Sequence, residues 1–439
     1  MASSPSPARV AAYVTLRRTF EQGAYTDRAF HAAARGLDPR DRSLAMRLAY
    51  GAVQRRLTID HLIGAVCERA AEAIDAPLLA ALRLGAYELC FAASAEHAVV
   101  NDAVELAKPA HGHALVNAGL RRLARERDGL LDALHDGDPD AASLRHSMPP
   151  WIVERWWEQL GPEGARALLA RANEPAESAL RANTLRTDAA SLAASLPVAT
   201  ALPGDPLEAV VALEPFDAHG SPQWRAGELW PQSRASMLVA HALDPLPGRV
   251  LDLCAAPGAK TTHIAALLEG RGEVVAVERH AGRARALQRS AMRMGATNVT
   301  VEVGDAGRPR RHGERYARVL LDPPCSGLGT LQAHPDLRWR ASAASAGDLA
   351  REQARLLSAA AAACAPGGTI VYSTCTVSAD ENERQIGAFL DDHPDFAAVD
   401  LQERFPAWAH PRCARHLLAL ASVQGSDSFF IAALRRDRD

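Results

Sequence analysis

Two cysteines stand where short apolar runs end: Cys325 follows LLDPP and Cys375 follows TIVYST. A single cysteine is most often a buried, inert small hydrophobe. A pair at strand ends, one of them just after the carboxylate of Asp322, points instead to thiol chemistry, because a thiolate beside a donor or cation is a potent nucleophile near neutral pH. A cation is at hand. The chain has only two lysines, Lys108 and Lys260, among 49 basic residues, and Lys260 closes the loop LCAAPGAK. An ordinary helix-terminal lysine is one reading; the other has its ammonium reaching the thiols or a bound base.

The run RVLDLC before that loop reads as a buried strand, and Ala255, Ala256, Pro257 and Gly258 form a tight turn into a helix carrying Ile264, Leu267 and Leu268. Small residues let backbone approach a ligand closely. The next strand ends in Glu278, 20 residues past Gly258, where a carboxylate can accept hydrogen bonds from ribose hydroxyls. The pattern is neither G-x-G-x-x-G nor a Walker loop, so S-adenosylmethionine, which needs no pyrophosphate cradle, fits better than a dinucleotide or a triphosphate. Asp305 and Asp322 close the third and fourth strands, at the edge where open parallel sheets bind ligands.

A thiol beside a methyl donor suits one class of reaction. Carbon 5 of a pyrimidine is too weak a nucleophile to attack a sulfonium methyl, but a thiolate adding to carbon 6 turns the ring into an enamine that can. A base then removes the carbon 5 proton and the thiol leaves by elimination, so a second group that assists release is sensible. Asp322 is placed to meet the polar edge of the ring. From the residues alone, either thiol can be the nucleophile and either cytosine or uracil the ring. Enzymes that methylate exocyclic nitrogens follow the acid-Pro-Pro step with a stacking aromatic; here Cys325 stands there.

These groups need elements to hold them. After Gly248, the runs RVLDLC, EVVAVE, NVTVEV, ARVLLD and TIVYST alternate with amphipathic stretches, which predicts βα units and a parallel sheet. From Arg9 to about Arg127 apolar residues recur at helical spacing, as in Leu44, Leu48 and Val53 or Leu78, Leu79 and Leu82, predicting an all-α first domain. Between Asp136 and Pro150 the stretch DGDPDAASLRHSMPP concentrates turn formers and predicts a linker. A small mixed region follows over 151–246.

Composition limits the alternatives. At 439 residues, 48% hydrophobic and 23% charged, the chain is an ordinary multidomain globular protein, neither disordered nor fibrous. Its net charge of −3 excludes a protein that coats nucleic acid by sheer positive charge. Residues 1–150 carry 18 basic and 18 acidic side chains, so RNA contact there would need a local patch, with Arg121, Arg122 and Arg125 the best candidates and a solvated helix face the competing reading. Seven scattered cysteines, none in a C-x-x-C pair or a zinc-spaced cluster, predict free thiols, no metal and a reducing, cytoplasmic setting. No apolar stretch approaches a membrane span.

The segments LDLCAAPGAKTTH, LLDPPCSGLGT, AHPDLRW and VYSTCTVSADENE together resemble the RNA 5-methylcytosine methyltransferases of the RsmB, Nop and Sun type. RVAAYVTLRR, DRSLAMRLAYGAVQRR, LLAALRLGAYELC, HAVVNDAVELAK and LVNAGLRRLARER are similar to the NusB-like helical domain attached to bacterial members. The resemblance implies an all-α N-terminal domain (1–135), a linker (136–150), a lead-in subdomain (151–246) and a Rossmann-like, seven-stranded class I methyltransferase sheet (247–439). It implies S-adenosylmethionine held by Cys254, Ala255, Ala256, Pro257, Gly258, Ala259, Lys260, Glu278, Arg283, Asp305 and Asp322, with Cys375 as nucleophile and Cys325 assisting release. The expected substrate is a cytosine of small-subunit ribosomal RNA, drawn out of its stack by a monomer. Transfer RNA or DNA as substrate, or a non-catalytic RNA-binding assembly factor, are the alternatives. Ala259 replaces a usual glycine, which requires a negative φ there; Glu278 replaces aspartate, Gln232 lacks the usual following acid, and Ser428 replaces a glycine.

Overall fold

In a computed structural model the fold is described for residues 4–92, 94–308 and 314–438. It comprises two compact units, one running to Pro175 and including Leu331–Arg340, the other beginning at Ala176 and holding the rest.

The first unit is helical: Pro7–Glu21, Thr26–Ala33, Pro39–Gln54, Arg56–Cys67, Ala76–Phe91, Glu96–Ala107, His113–Asp132, Pro139–His146 and Pro150–Arg171. Ser6 and Asp38 cap two of these through their side chains, each followed by a proline whose missing N–H costs nothing in a first turn. Leu16, Leu48, Val53, Ile59, Leu62, Leu82 and Leu120 form a fully buried core. The partly buried Arg9 guanidinium bridges Glu88 (2.7 Å) and Asp102 (3.0 Å).

The structure corrects the predicted linker. Asp138 and Pro139, which read as turn formers, are the N-cap and first residue of the helix Pro139–His146, with the Asp138 carboxylate accepting from the Ala141 N–H. Asp-Pro is a helix-start signal as much as a turn signal. The helix Pro150–Arg171, broken at Gly161 before Pro162, belongs to the same unit. The first compact unit thus runs to Pro175 and takes in the start of the region assigned above to the lead-in subdomain. The motif AHPDLRW belongs here too: the Arg338 guanidinium is fully buried and donates to the carbonyls of Gln54, Ser147 and Ala172 and to Asn173 Oδ1, while Trp339 Nε1 donates to the Val53 carbonyl.

The second unit contains two sheets. A small antiparallel sheet of order β2-β3-β1-β4 is formed by β1 (Ala179–Ala182), β2 (Thr200–Ala201), β3 (Ala209–Ala212) and β4 (Leu229–Pro231). The large sheet comprises β5 (Gly248–Asp252), β6 (Gly272–Glu278), β7 (Val299–Val303), β8 (Tyr316–Leu321), β9 (Cys364–Thr374), β10 (Phe396–Val399), β11 (Leu417–Ala419) and β12 (Phe429–Arg436). Seven strands run in the order β10-β12-β9-β8-β5-β6-β7, and short β11 pairs beside β12 as an eighth. Strands β5 to β9 are parallel, whereas β10 and β12 are antiparallel additions.

The five apolar runs picked out in the sequence are thus the five parallel strands. Helix Arg234–Leu243 packs on this sheet, joining Leu238, Val239 and Leu243 to Val250, Ile264, Leu320, Val371 and Ile431 in one core. It belongs with the large sheet rather than with a separate lead-in subdomain. The carboxyl ends of β5, β6, β8 and β9 lie along one edge, which brings Asp252, Glu278, Asp322 and Cys375 to the same side.

Candidate active site

The loop after β5 is built to expose backbone. Gly258 has a φ of 108°, and a Cβ there would lie 2.5 Å from Leu287 Cδ1, so neither conformation nor space admits a side chain. Ala259 is the first residue of the helix Ala259–Leu267 and is not among the positive-φ residues, so the departure from glycine at this position is tolerated. Arg283 Nη2 donates to the Ala256 carbonyl (2.9 Å), and the Ala255 N–H donates to the Val277 carbonyl, fixing the loop to β6.

At the end of β6 the Glu278 carboxylate is buried, accepts the His280 N–H (2.8 Å) and stands 3.5 Å from Arg283 Nε. Burial, reinforced by Asp252, Asp322 and Glu278, pushes the Cys254 thiol far up, so it is a neutral lining group. The side chains of Ala255, Ala256, Gly258 and Ala259 end at a methyl or less, and Glu278 keeps acceptor capacity. This small-walled loop with an acid on the next strand suits the nucleoside and methionine parts of S-adenosylmethionine.

From behind, the loop helix is held by buried polar groups. Arg181 on β1 donates to Gln232 Oε1 and Thr262 Oγ1, both at 2.9 Å, which gives Gln232 a partner without a following acid. Glu208 Oε1 lies between His241 Nε2 (2.9 Å) and His263 Nε2 (2.8 Å).

The ends of β8 and β9 carry the reactive groups. Lys260 Nζ donates to Asp322 Oδ2 (2.7 Å), and Ser373 Oγ donates to Asp322 Oδ1 (2.8 Å), so the carboxylate is anchored through both oxygens and each keeps a further acceptor position. Burial works against the Lys260 ammonium, but Asp322 outweighs it and holds the ammonium above its ordinary pKa, with the Cys375 sulfur and Asp252 contributing. Lys260 also lies 4.9 Å from the centre of the Phe429 ring. Cys325 Sγ and Cys375 Sγ are 3.3 Å apart. The Cys325 thiol is raised well above its usual range, first by its hydrogen bond to Cys375, then by burial and by the charge of Cys375, Glu381 and Asp322.

Residues that the sequence reading passed over hold this arrangement. Glu381 is fully buried and accepts from the Ser326 N–H (2.8 Å), Ser326 Oγ (2.6 Å) and Gln353 Nε2 (3.0 Å), clamping the turn after Cys325. Thr374 Oγ1 donates to Asn382 Oδ1, and Asn382 Nδ2 donates to the Thr376 carbonyl, so the flanks of Cys375 are gripped on both sides. Both clamps sit in the motif VSADENE. Asp252, an acid inside the apolar run RVLDLC, is fully buried; Thr261 Oγ1 donates to its Oδ2 (2.7 Å), and burial, opposed by that bond, pushes its pKa up to about 7.

Cys325, Cys375, Lys260 and Asp322 are thus brought together, and Cys254, Glu278 and Arg283 cluster around the loop. Asp305, beyond β7, instead pairs with Arg355 (3.1 Å) and accepts the Gly307 N–H. Of the arginines singled out in the first unit, Arg121 donates to Asn117, and Arg122 pairs with Glu68 and Glu126. Arg125 is exposed.

Three family models match successive stretches: the NusB family over residues 6–125, the ferredoxin-like domain of RsmF/B-like methyltransferases over 148–201, and 16S rRNA methyltransferase RsmB/F over 240–435. A probable ribosomal RNA small subunit methyltransferase B from Synechocystis is 34% identical, over 98% of this chain and 99% of its own length. The chain belongs to the RsmB family. A ribosomal RNA small subunit methyltransferase B from Thermus thermophilus is 36% identical over 90% of this chain and 89% of its own. Among solved structures, the RsmB-type fold of this chain matches a protein named PH0851 at a TM-score of 0.81 with 25% identity, covering 99% of this chain and 100% of that one. A methyltransferase homolog from Pyrococcus horikoshii matches at 0.60 with 26% identity, covering 67% of this chain and 97% of its own. The chain is therefore a class I methyltransferase carrying a NusB-type helical region.

Proposed function

We propose that this protein transfers a methyl group from S-adenosylmethionine to carbon 5 of a cytosine in small-subunit ribosomal RNA, through a covalent adduct on Cys375. The contact between Cys325 and Cys375, 3.3 Å apart beside the Lys260–Asp322 pair, carries the reading. The relatives named as small-subunit ribosomal RNA methyltransferases supply the substrate class.

S-adenosylmethionine, when bound by the loop Cys254–Lys260 and Glu278, supplies an electrophilic methyl. The chain's own groups do the rest. The Cys325 S–H, whose raised pKa keeps its proton, meets the Cys375 sulfur at 3.3 Å, and the Lys260 ammonium is close enough to interact with that sulfur through its charge. The Cys375 thiolate adds to carbon 6 of the extruded base, and Asp322, anchored by Lys260 and Ser373, faces the ring's polar edge. Bond formation removes the charge on Cys375, and with it a cause that held Cys325 protonated. Cys325 then loses its proton to water and, as a thiolate, takes the proton from carbon 5; the C5–H electron pair re-forms the C5–C6 double bond, and the C6–S pair leaves with Cys375, which is regenerated as thiolate. One chain carries all of these groups, so a monomer suffices. The reading places the protein with ribosomal RNA in the cytoplasm, and no helix among the described residues is long and apolar enough to cross a membrane.

The test is transfer of tritiated methyl from S-adenosylmethionine to small-subunit RNA, offered free and as assembling particles, with the product mapped by bisulfite sequencing. A single 5-methylcytosine is expected. No incorporation into any assembly state, or methylation of transfer RNA or DNA alone, overturns the assignment.

A further inference from the structure

Between Glu278 and Glu302 the chain has no acidic residue and five arginines, Arg279, Arg283, Arg285, Arg289 and Arg293, in a protein whose net charge is −3. The helix Ala281–Met294 buries Ala284, Leu287, Ala291 and Met294. Its opposite stripe carries Arg285, Arg289 and Arg293 at i, i+4 and i+8. Arg285 and Arg289 are exposed, and neither has a carboxylate partner among the described residues. Arg293 ends the stripe packed 3.4 Å from the centre of the Trp224 ring. Exposed Arg186 donates to the Arg293 carbonyl (3.4 Å) and continues the row.

Like charges at i, i+4 repel, so this ladder costs the helix stability unless an anion meets it. The contrast is Arg122, already neutralised by Glu68 and Glu126. The helix starts just beyond Glu278, beside the proposed cofactor loop, so one long polyanion can lie along the stripe while one of its bases is in the site. The helix's apolar face is spent on the fold, which removes the insertion that an amphipathic membrane-binding helix needs.

We propose that Arg285, Arg289 and Arg186 form a phosphate-binding track for the substrate RNA away from the reacting cytosine. The inference rests on the RNA-methylation reading and extends it. The track adds affinity without reading bases, as contacts to phosphates do.

The experiment compares wild type with Arg285→Gln/Arg289→Gln and Arg285→Glu/Arg289→Glu. These positions are solvent-facing, and a thermal melt checks folding. Binding of a small-subunit RNA fragment is measured across a salt series. The Gln pair is expected to lower the slope of log K against log salt by about 1.4 to 1.8, from about 0.7 to 0.9 per lost phosphate contact. The KM for long RNA should rise about tenfold, with kcat and calorimetric affinity for S-adenosylmethionine unchanged. A short oligonucleotide that spans only the target should be methylated equally by all three proteins. An unchanged slope and KM overturn the proposal. If the wild type methylates no RNA, the functional reading fails, while the salt slopes still decide the track.

Discussion

Cys325 Sγ stands 3.3 Å from Cys375 Sγ, and the hydrogen bond between them is the foremost reason the Cys325 thiol keeps its proton. The two sulfurs are therefore unequal, although one follows β8 and the other β9, neighbouring parallel strands. Cys375→Ala should lower methylation about 10⁴-fold or more, as loss of a nucleophile does, and should abolish trapping by RNA containing 5-fluorocytosine. Cys325→Ala should instead accumulate a protein–RNA adduct visible on a denaturing gel. Adduct from Cys375→Ala and none from Cys325→Ala would exchange the roles.

Lys260 donates to Asp322 and lies close enough to Cys375 for the sulfur to influence its ammonium. Lys260→Gln keeps a donor for Asp322 but removes the positive charge. Alkylation of Cys375 by iodoacetamide at neutral pH, followed on its peptide by mass spectrometry, should slow, because a nearby cation favours the reactive thiolate. An unchanged rate would remove Lys260 from thiolate stabilisation and leave it as an anchor for Asp322.

Glu278 accepts the His280 N–H and stands near Arg283, yet retains acceptor positions for a ligand. If it binds ribose hydroxyls, Glu278→Ala should weaken S-adenosylmethionine binding by about 10- to 100-fold, the range for hydrogen bonds to a charged group. Calorimetry measures this directly. Asp305→Ala, whose carboxylate is occupied by Arg355, should change affinity less.

Gly258 combines a φ of 108° with a Cβ position only 2.5 Å from Leu287 Cδ1. Gly258→Ala should destabilise the second unit by about 1–3 kcal/mol, the usual range for forcing a side chain into such a backbone region. Cofactor affinity should fall with it. Gly258→Ala combined with Leu287→Ala makes room but not conformation, so only part of the loss should return. Full recovery in thermal melts would show that space alone mattered.

Strands β5, β6, β8 and β9 were legible because their central residues are buried and read as apolar runs, and the half-exposed edge strand β7 because of its alternating valines. The reactive residues were legible because they follow those runs at the ligand-binding edge. The small sheet β1–β4 and the antiparallel strands β10–β12 lack that signature; β2 has two residues and β11 three. Asp138–Pro139 was misread because one dipeptide serves both turns and helix starts. Nothing in composition marks Arg338 as buried, since its charge is met by carbonyls recruited from distant positions. Arg285, Arg289 and Arg293 did carry a readable signal, a helical repeat of like charge without interleaved acids.

Asp252 gives the fold a pH dependence of unusual sign. Burial raises its pKa from 3.8 to about 7, with Thr261 opposing and Asp322 adding to the rise. Between those two values the folded chain keeps a proton that the unfolded chain has released, so stability falls as pH rises, by up to about 1.4 kcal/mol per pH unit. Below the lower value the contribution vanishes; above the upper one the penalty is constant. His263, lowered to about 3 by burial and Arg181, acts oppositely: its contribution is lost as pH falls from 6.5 toward that value. Comparison with Asp252→Asn cancels the histidine. The difference in unfolding free energy between variant and wild type, taken from urea melts between pH 4 and pH 8, should grow in favour of the variant up to about pH 7 and then level off. A flat difference across the series would show that Asp252 is already ionised in the folded protein.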